Sequence, residues 1–288
     1  MERILPGGSC LISSKDYPDA PNVPAPVPCP YCGANRYYLG MKLAGRIFWF
    51  PQPDDCDCPG AAAQRQQEQA EKEAQAKEEE RRQREKQRDK LIGKSGLSKR
   101  FLRRTFATFQ VTPENQAAYR ACRRYVQDFA GLGPEQNSLM LAGGCGTGKT
   151  HLAAAIANAL LEQLVEVAFT TPNDLTAAVR ATFGKDRGEE EQVVGFYQRA
   201  PLLVLDDLGK DQPTQWSVAL LYRILNARYE NDAPVVVTTN YDAAGLVKRL
   251  TPPGGDGITG RAIVDRLTEV CRYLPLTGKS HRKPGGEK

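Results

Sequence analysis

The stretch Gly143-Gly-Cys-Gly-Thr-Gly-Lys-Thr150 limits this chain to few architectures. An apolar run, Ser138-Leu-Met-Leu-Ala142, precedes it, and Lys149-Thr-His-Leu-Ala-Ala-Ala-Ile-Ala-Asn-Ala-Leu160, rich in helix formers, follows. Strand, glycine turn and helix in that order form the setting in which backbone N–H groups and a positive helix end hold phosphate. Lys149 would then reach the β- and γ-phosphates, and the Thr150 hydroxyl would ligate Mg²⁺. The candidate cofactor-binding set is Gly143, Gly144, Cys145, Gly146, Thr147, Gly148, Lys149, Thr150 and His151.

Around this loop, apolar β-branched runs alternate with helix-length stretches. Strands are predicted at Ser138–Ala142, Val165–Thr171, Leu202–Leu208, Val235–Thr239 and Tyr273–Leu276. That alternation implies an α/β domain with a mostly parallel five-stranded sheet. Leu202-Leu-Val-Leu-Asp-Asp207 sets two carboxylates at the end of a strand, the end where open α/β sheets bind ligands. Asp206 would hold magnesium through its water shell, and Asp207 would orient or deprotonate an attacking water. The alternative for either is a cap on the next turn. Asp206-Asp-Leu-Gly209 also fits a GTPase pattern, but no guanine-reading Asn-Lys-x-Asp follows, so ATP is favoured. Asn240 ends another buried-strand pattern and either positions water near the γ-phosphate or caps the strand.

Upstream of this domain the composition changes twice. Residues 1–28 are rich in Pro, Gly and Ser and read as an extended arm. Then come Cys29-Pro-Tyr-Cys32-Gly and Cys56-Asp-Cys58, enclosing an aromatic stretch that alternates well enough for a hairpin. A knuckle turn brings two thiolates to one tetrahedral metal, so these four cysteines are candidate Zn²⁺ ligands, with free thiols or a redox pair as the alternative. Cys10, Cys122, Cys145 and Cys271 are scattered, a pattern of metal site plus bystanders in a reducing compartment. From Ala61 to about Lys90 the chain is almost all Ala, Gln, Glu, Lys and Arg, with no heptad of Leu or Ile. It reads as a solvated helix on the order of 45 Å long.

Charge is uneven. Residues 81–104 carry eleven Lys/Arg against Glu85 and Asp89, and residues 248–288 carry nine against four acids. Either a polyanionic partner or a solvated basic surface accounts for this. No apolar run approaches the roughly 20 residues of a membrane span, and the start lacks a secretory h-region. A cytoplasmic protein without a membrane partner is expected.

Together these motifs resemble the AAA+ family. The stretch Leu205-Asp-Asp-Leu-Gly-Lys-Asp-Gln-Pro-Thr-Gln-Trp216, then Leu221–Tyr229, Thr238-Thr-Asn240, Phe101–Phe109 and Gly260-Arg-Ala-Ile-Val-Asp-Arg-Leu267, resembles the DnaC/DnaI helicase-loader branch and the related IstB transposition helpers. The resemblance covers about residues 91–283. It implies Asn240 as a sensor-1 residue, Arg266, with Arg261 close by, as the arginine finger to a neighbouring subunit's ATP, and Arg282 as the sensor-2 arginine. Arg261 and Arg266 do not share a helical stripe, so one of the two is structural. Asp207 stands where many AAA+ proteins carry Glu, a departure read as tuning of the hydrolysis rate.

The expected organisation is an arm (1–28), a zinc-binding module (29–60), a charged helical linker (61–95) and an AAA+ ATPase domain (96–288). The function so implied is slow, ATP-dependent loading of a replicative hexameric helicase onto single-stranded DNA, with self-association through the ATP interface and the zinc module contacting the helicase. The alternatives are an IstB-like transposition helper and a nucleotide-binding adaptor that does not hydrolyse ATP.

Overall fold

The computed structural model describes residues 3–4, 10–43, 46–184, 186–278 and 280. The chain divides into two compact units, Met1–Arg82 and Gln83–Lys288.

In the first unit, strands β1 (Arg3–Ile4), β2 (Cys10–Ser13), β5 (Tyr38–Leu43) and β6 (Arg46–Pro53) form an antiparallel sheet in the order β1-β2-β5-β6. The short strands β3 (Val27–Pro28) and β4 (Asn35–Arg36) pair separately. The region read as an extended arm therefore contributes ladder strands. Ser14 is buried, and its hydroxyl accepts the Tyr38 N–H at 2.9 Å, tying β2 to the strand beside it. The expected hairpin is present as β5–β6, within a larger sheet than the sequence implied.

Helix α1 (Pro59–Lys94) starts two residues before the expected linker and runs 36 residues, about 54 Å at 1.5 Å per residue. Ala61 is its one buried residue among those described, as its polar composition requires. Its last turns differ. Leu91 and Ile92 pack on the core of the second unit, Arg88 pairs with Glu162 at 3.4 Å, and Phe169 N–H donates to the Ser95 carbonyl at 2.7 Å. The segment after α1 thus covers the free edge of a sheet, a common protection for an edge strand.

The second unit continues with α2 (Lys99–Leu102), α3 (Gln116–Asp128), β7 (Ser138–Gly143), α4 (Lys149–Glu162), β8 (Val167–Thr170), α5 (Pro172–Arg180), α6 (Arg187–Arg199), β9 (Leu202–Leu208), α7 (Gln215–Glu230), β10 (Val235–Thr239), α8 (Ala243–Leu250), α9 (Ile258–Val270) and β11 (Cys271–Leu276). The five strands pair in parallel in the order β11-β7-β10-β9-β8. All five predicted strands are present, with ends shifted by at most two residues. Successive strand residues feed two cores. Leu139, Leu141, Leu202 and Val204 pack with α3 and α4, while Met140, Leu203, Leu205 and Val237 pack with α5 to α9. Both faces are covered, which explains the near-continuous apolar runs. No helix among the described residues is long and apolar enough to cross a membrane.

Candidate functional site

The phosphate-loop residues lie between β7 and the start of α4, at the carboxyl end of the sheet. Gly148 caps α4 with φ +100°, and a Cβ there would meet the Phe109 ring at 2.7 Å. At Gly143 a Cβ would run into the Leu276 carbonyl, so close packing of β11 also demands glycine. Lys149 is buried, and its Nζ donates to the carbonyls of Gly143 (2.9 Å) and Gly144 (2.7 Å), within the loop whose phosphates it would meet. Thr147 Oγ1 donates to the Gly144 carbonyl at 3.0 Å, and Cys145 is exposed. His151 Nε2–H donates to the Thr105 carbonyl at 3.0 Å, and burial lowers its pKa. Its ring meets Phe109 edge-on, so it ties the segment before α3 to α4.

The two carboxylates stand where the sequence put them. Asp206 is buried at the end of β9, accepting the Thr150 hydroxyl at 2.9 Å and the Thr238 hydroxyl at 2.6 Å. Burial pushes its carboxyl up, and these two hydroxyls pull it back. A hydroxyl and a carboxylate in contact, both oxygen donors, fit the sparse protein ligation that magnesium takes. Asp207 is half-buried, adopts φ +59°, and pairs with Lys210 at 3.1 Å. Asn240 is exposed and lines the same cleft as Lys149, Thr150, Asp206 and Asp207. The cleft, of about 450 Å³, is within the size range of nucleotide-sized ligand sites.

The arginines separate. Arg266 is partly buried on α9, donates to the Tyr222 hydroxyl at 3.0 Å, and lies over the rings of Tyr222 (4.9 Å) and Tyr229 (5.5 Å). Its buried Nε has no hydrogen-bond partner among the described residues. Arg261 is exposed. Arg282 lies outside the described residues.

In the first unit, the Sγ atoms of Cys29, Cys32, Cys56 and Cys58 all lie within 4.8 Å of one another, with Cys29–Cys58 at 3.8 Å and Cys32–Cys56 at 3.5 Å. A tetrahedral ion with Zn–S near 2.3 Å needs sulfur edges of roughly 3.8 Å, so the set fits one zinc. The knuckle aims backbone N–H groups at sulfur. The thiols of this cluster titrate together. The Tyr31 N–H holds Cys29 down at about 6, while, against the Cys58 N–H, hydrogen bonds from the neighbouring thiols push Cys56 up to about 12. The first proton therefore leaves at Cys29, and the proximity of the sulfurs opposes loss of the next. Gly33, at φ +73°, closes that turn. Cys122 and Cys271 are bystanders, their thiols pushed up to about 12 by burial.

Two features escaped the sequence reading. Arg100, counted there only within a basic stretch, and Arg104, which also falls inside Phe101–Phe109, line the cleft, although neither is read there as a site residue. Phe183 and Trp216, 55% and 36% exposed, meet edge to face at 5.4 Å with the Arg180 guanidinium 5.0 Å above the indole. Exposed aromatic rings beside an arginine are side chains of the kind on which unstacked bases can stack. The two rings lie thirty-three positions apart, and although Trp216 closes the stretch that carries the family resemblance, nothing in the sequence pairs it with Phe183.

Comparison with known proteins agrees with this geometry. A family model described as IstB-like ATP binding protein matches residues 62–287. The replicative helicase loader DnaC of Escherichia coli K12 is 30% identical over 179 residues, covering 62% of this chain and 68% of that protein. The crystal structure of the DnaC helicase loader superposes with a TM-score of 0.53 at 26% identity, over 62% of this chain and all of that one. The crystal structure of DnaI gives 0.53 at 25% identity, over 65% and 95%.

Proposed function

The chain belongs to the IstB-like ATP-binding proteins, AAA+ ATPases like DnaC, and from that premise we propose that it loads a replicative hexameric helicase onto single-stranded DNA, using ATP as a slow switch. The likeness to the loader DnaC over 68% of that protein's length carries the loading role.

In this reading the loop backbone from Gly143 to Gly148 and Lys149 Nζ bind the triphosphate. Thr150 and Asp206 would hold magnesium, which neutralises charge on the β- and γ-phosphates when bound. Asp207 orients the attacking water and takes its proton, and Asn240 holds that water from the neighbouring strand. Arg266 of an adjacent copy and Arg282 of the same chain complete the charge around the γ-phosphate. The Phe183–Trp216–Arg180 platform stacks DNA bases, and the basic residues of 81–104 and 248–288 follow the phosphates. The four-cysteine module binds zinc and contacts the helicase. Such a protein works in the cytoplasm.

The test is complex formation with the host's hexameric helicase by size exclusion, and ATPase with and without single-stranded DNA. A stable complex and ATP turnover that Lys149→Ala abolishes are expected. The name of the matching family favours a second reading, a transposition helper. No helicase complex, with a transposase retained instead, would establish it. Equal inactivity of wild type and Lys149→Ala would leave only a nucleotide-binding adaptor.

A further inference from the structure

Two consecutive strand residues ordinarily point to opposite faces of a sheet. Along β9 this holds up to the last apolar pair: Leu202 and Val204 enter the core beneath α4, and Leu203 and Leu205 enter the opposite one. Asp206 continues the first series and meets Thr150 on α4. Simple continuation would send Asp207 to the other side, among the helices that cover Leu203 and Leu205. Instead both carboxylates line one cleft.

The register explains how. Leu205 pairs with Val237, but Leu208 pairs with Thr239, so Asp206 and Asp207 together stand opposite Thr238 alone. This is a β-bulge, a device that re-aims side chains beside functional sites. Its second residue, Asp207, has left-handed backbone at φ +59°, a conformation uncommon outside glycine that Asp tolerates better than most residues.

Thr238 ties the bulge together. It is fully buried, and its Oγ1 donates to Asp206 Oδ1 at 2.6 Å while accepting the Asp207 N–H at 2.8 Å. One hydroxyl has one proton and two acceptor positions, so both bonds form at once. The next residue closes the far end: Thr239 Oγ1 donates to the Leu208 carbonyl at 2.9 Å. We propose that Thr238 is a positioning residue of the nucleotide site, whose hydroxyl keys the bulge that turns Asp206 and Asp207 to the same cleft. It touches no nucleotide and acts through the two carboxylates. The inference rests on the ATP-hydrolysis reading for its kinetic arm only.

The experiment compares Thr238→Val, which keeps the branched shape and loses both bonds, with Thr238→Ser, which keeps the hydroxyl. Turnover is read alongside binding of a fluorescent ATP analogue titrated with Mg²⁺. Thr238→Val is expected to lower kcat about 10- to 100-fold and to raise the Mg²⁺ needed for tight nucleotide binding by a similar factor, the usual cost of removing a partner that orients a ligand. Its metal-free nucleotide affinity stays within about twofold of wild type, and Thr238→Ser retains turnover within about threefold. At saturating Mg²⁺, which masks the effect exerted through Asp206, adding Thr238→Val to Asp207→Asn costs little further turnover, because both changes then disable the same carboxylate. Wild-type kcat and Mg²⁺ response in Thr238→Val overturn the inference, as does a Thr238→Ser variant equally impaired, or losses that multiply. If the wild type turns over no ATP, the hydrolysis reading fails, and the Mg²⁺ titration alone decides on Thr238. If Thr238→Val does not fold, Thr238→Cys, of similar size and with a weaker donor, takes its place in both measurements.

Discussion

Asp207 combines a left-handed backbone, an ion pair to Lys210 and a place beside Asp206, and its carboxylate is the one group in the cleft assigned to proton transfer. Asp207→Asn is expected to lower kcat by about 100-fold or more while leaving nucleotide affinity unchanged, read by steady-state turnover against equilibrium binding. Arg228 answers a structural demand. It is 1% exposed, and its guanidinium donates to the carbonyls of Tyr197 (2.9 Å), Gln198 (3.1 Å), Ala200 (2.9 Å) and Pro234, tying the end of α6 to the start of β10. Arg228→Met would strand those carbonyls in a dry interior and cost about 3 kcal/mol, measured as a drop in urea-unfolding free energy. At this scale legibility depended on motif. Lys149, Thr150, Asp206 and the four cysteines could be proposed from the sequence because their spacing, or for Asp206 its place at a strand end, suggests a ligand geometry. Thr238 and Arg228 could not, because a hydroxyl or guanidinium inside an apolar run shows no partner until distant elements are brought together.

Among the elements, the five parallel strands were legible because strands covered on both faces read as unbroken β-branched runs bounded by helix-length segments. The sheet of the first unit was not. Its strand β2 is only four residues long, lies beside a Pro-rich stretch, and shows no period long enough to read. Helix α1 was recognised by composition, but the docking of its last turn through Leu91 and Ile92 needed the tertiary fold. The platform formed where α7 begins, near the end of α5, belongs to the same category. Trp216→Ala is expected to remove about 1–3 kcal/mol of base stacking and so weaken binding of an oligothymidine roughly 10- to 100-fold by fluorescence anisotropy. Nucleotide affinity should not change, since Trp216 lies outside the ATP cleft.

For the molecule as a whole, the proposed function needs copies that complete one another's sites and a metal module that acts apart from the ATPase unit. In the proposed assembly Arg266 would exchange its seat on Tyr222 and Tyr229 for the nucleotide of a neighbouring copy. That seat combines cation–π attraction with a hydrogen bond to the Tyr222 hydroxyl, about 2 kcal/mol together, which is comparable to what a charge-assisted bond to phosphate returns. Lys149→Ala and Arg266→Ala, each inactive alone, should therefore restore activity when mixed, up to about a quarter of interfaces having both intact residues. Arg261→Ala should stay active by itself. Metal analysis should find one zinc per chain, lost in Cys32→Ser together with the helicase complex, while ATP binding by the second unit persists. The most direct test of the central claim is transfer of the host's hexameric helicase onto circular single-stranded DNA, scored as helicase retained on the circle. ATP-dependent loading by wild type, absent with Lys149→Ala, is the predicted result; helicase loaded equally well without this protein, or with Lys149→Ala in its place, would contradict the account.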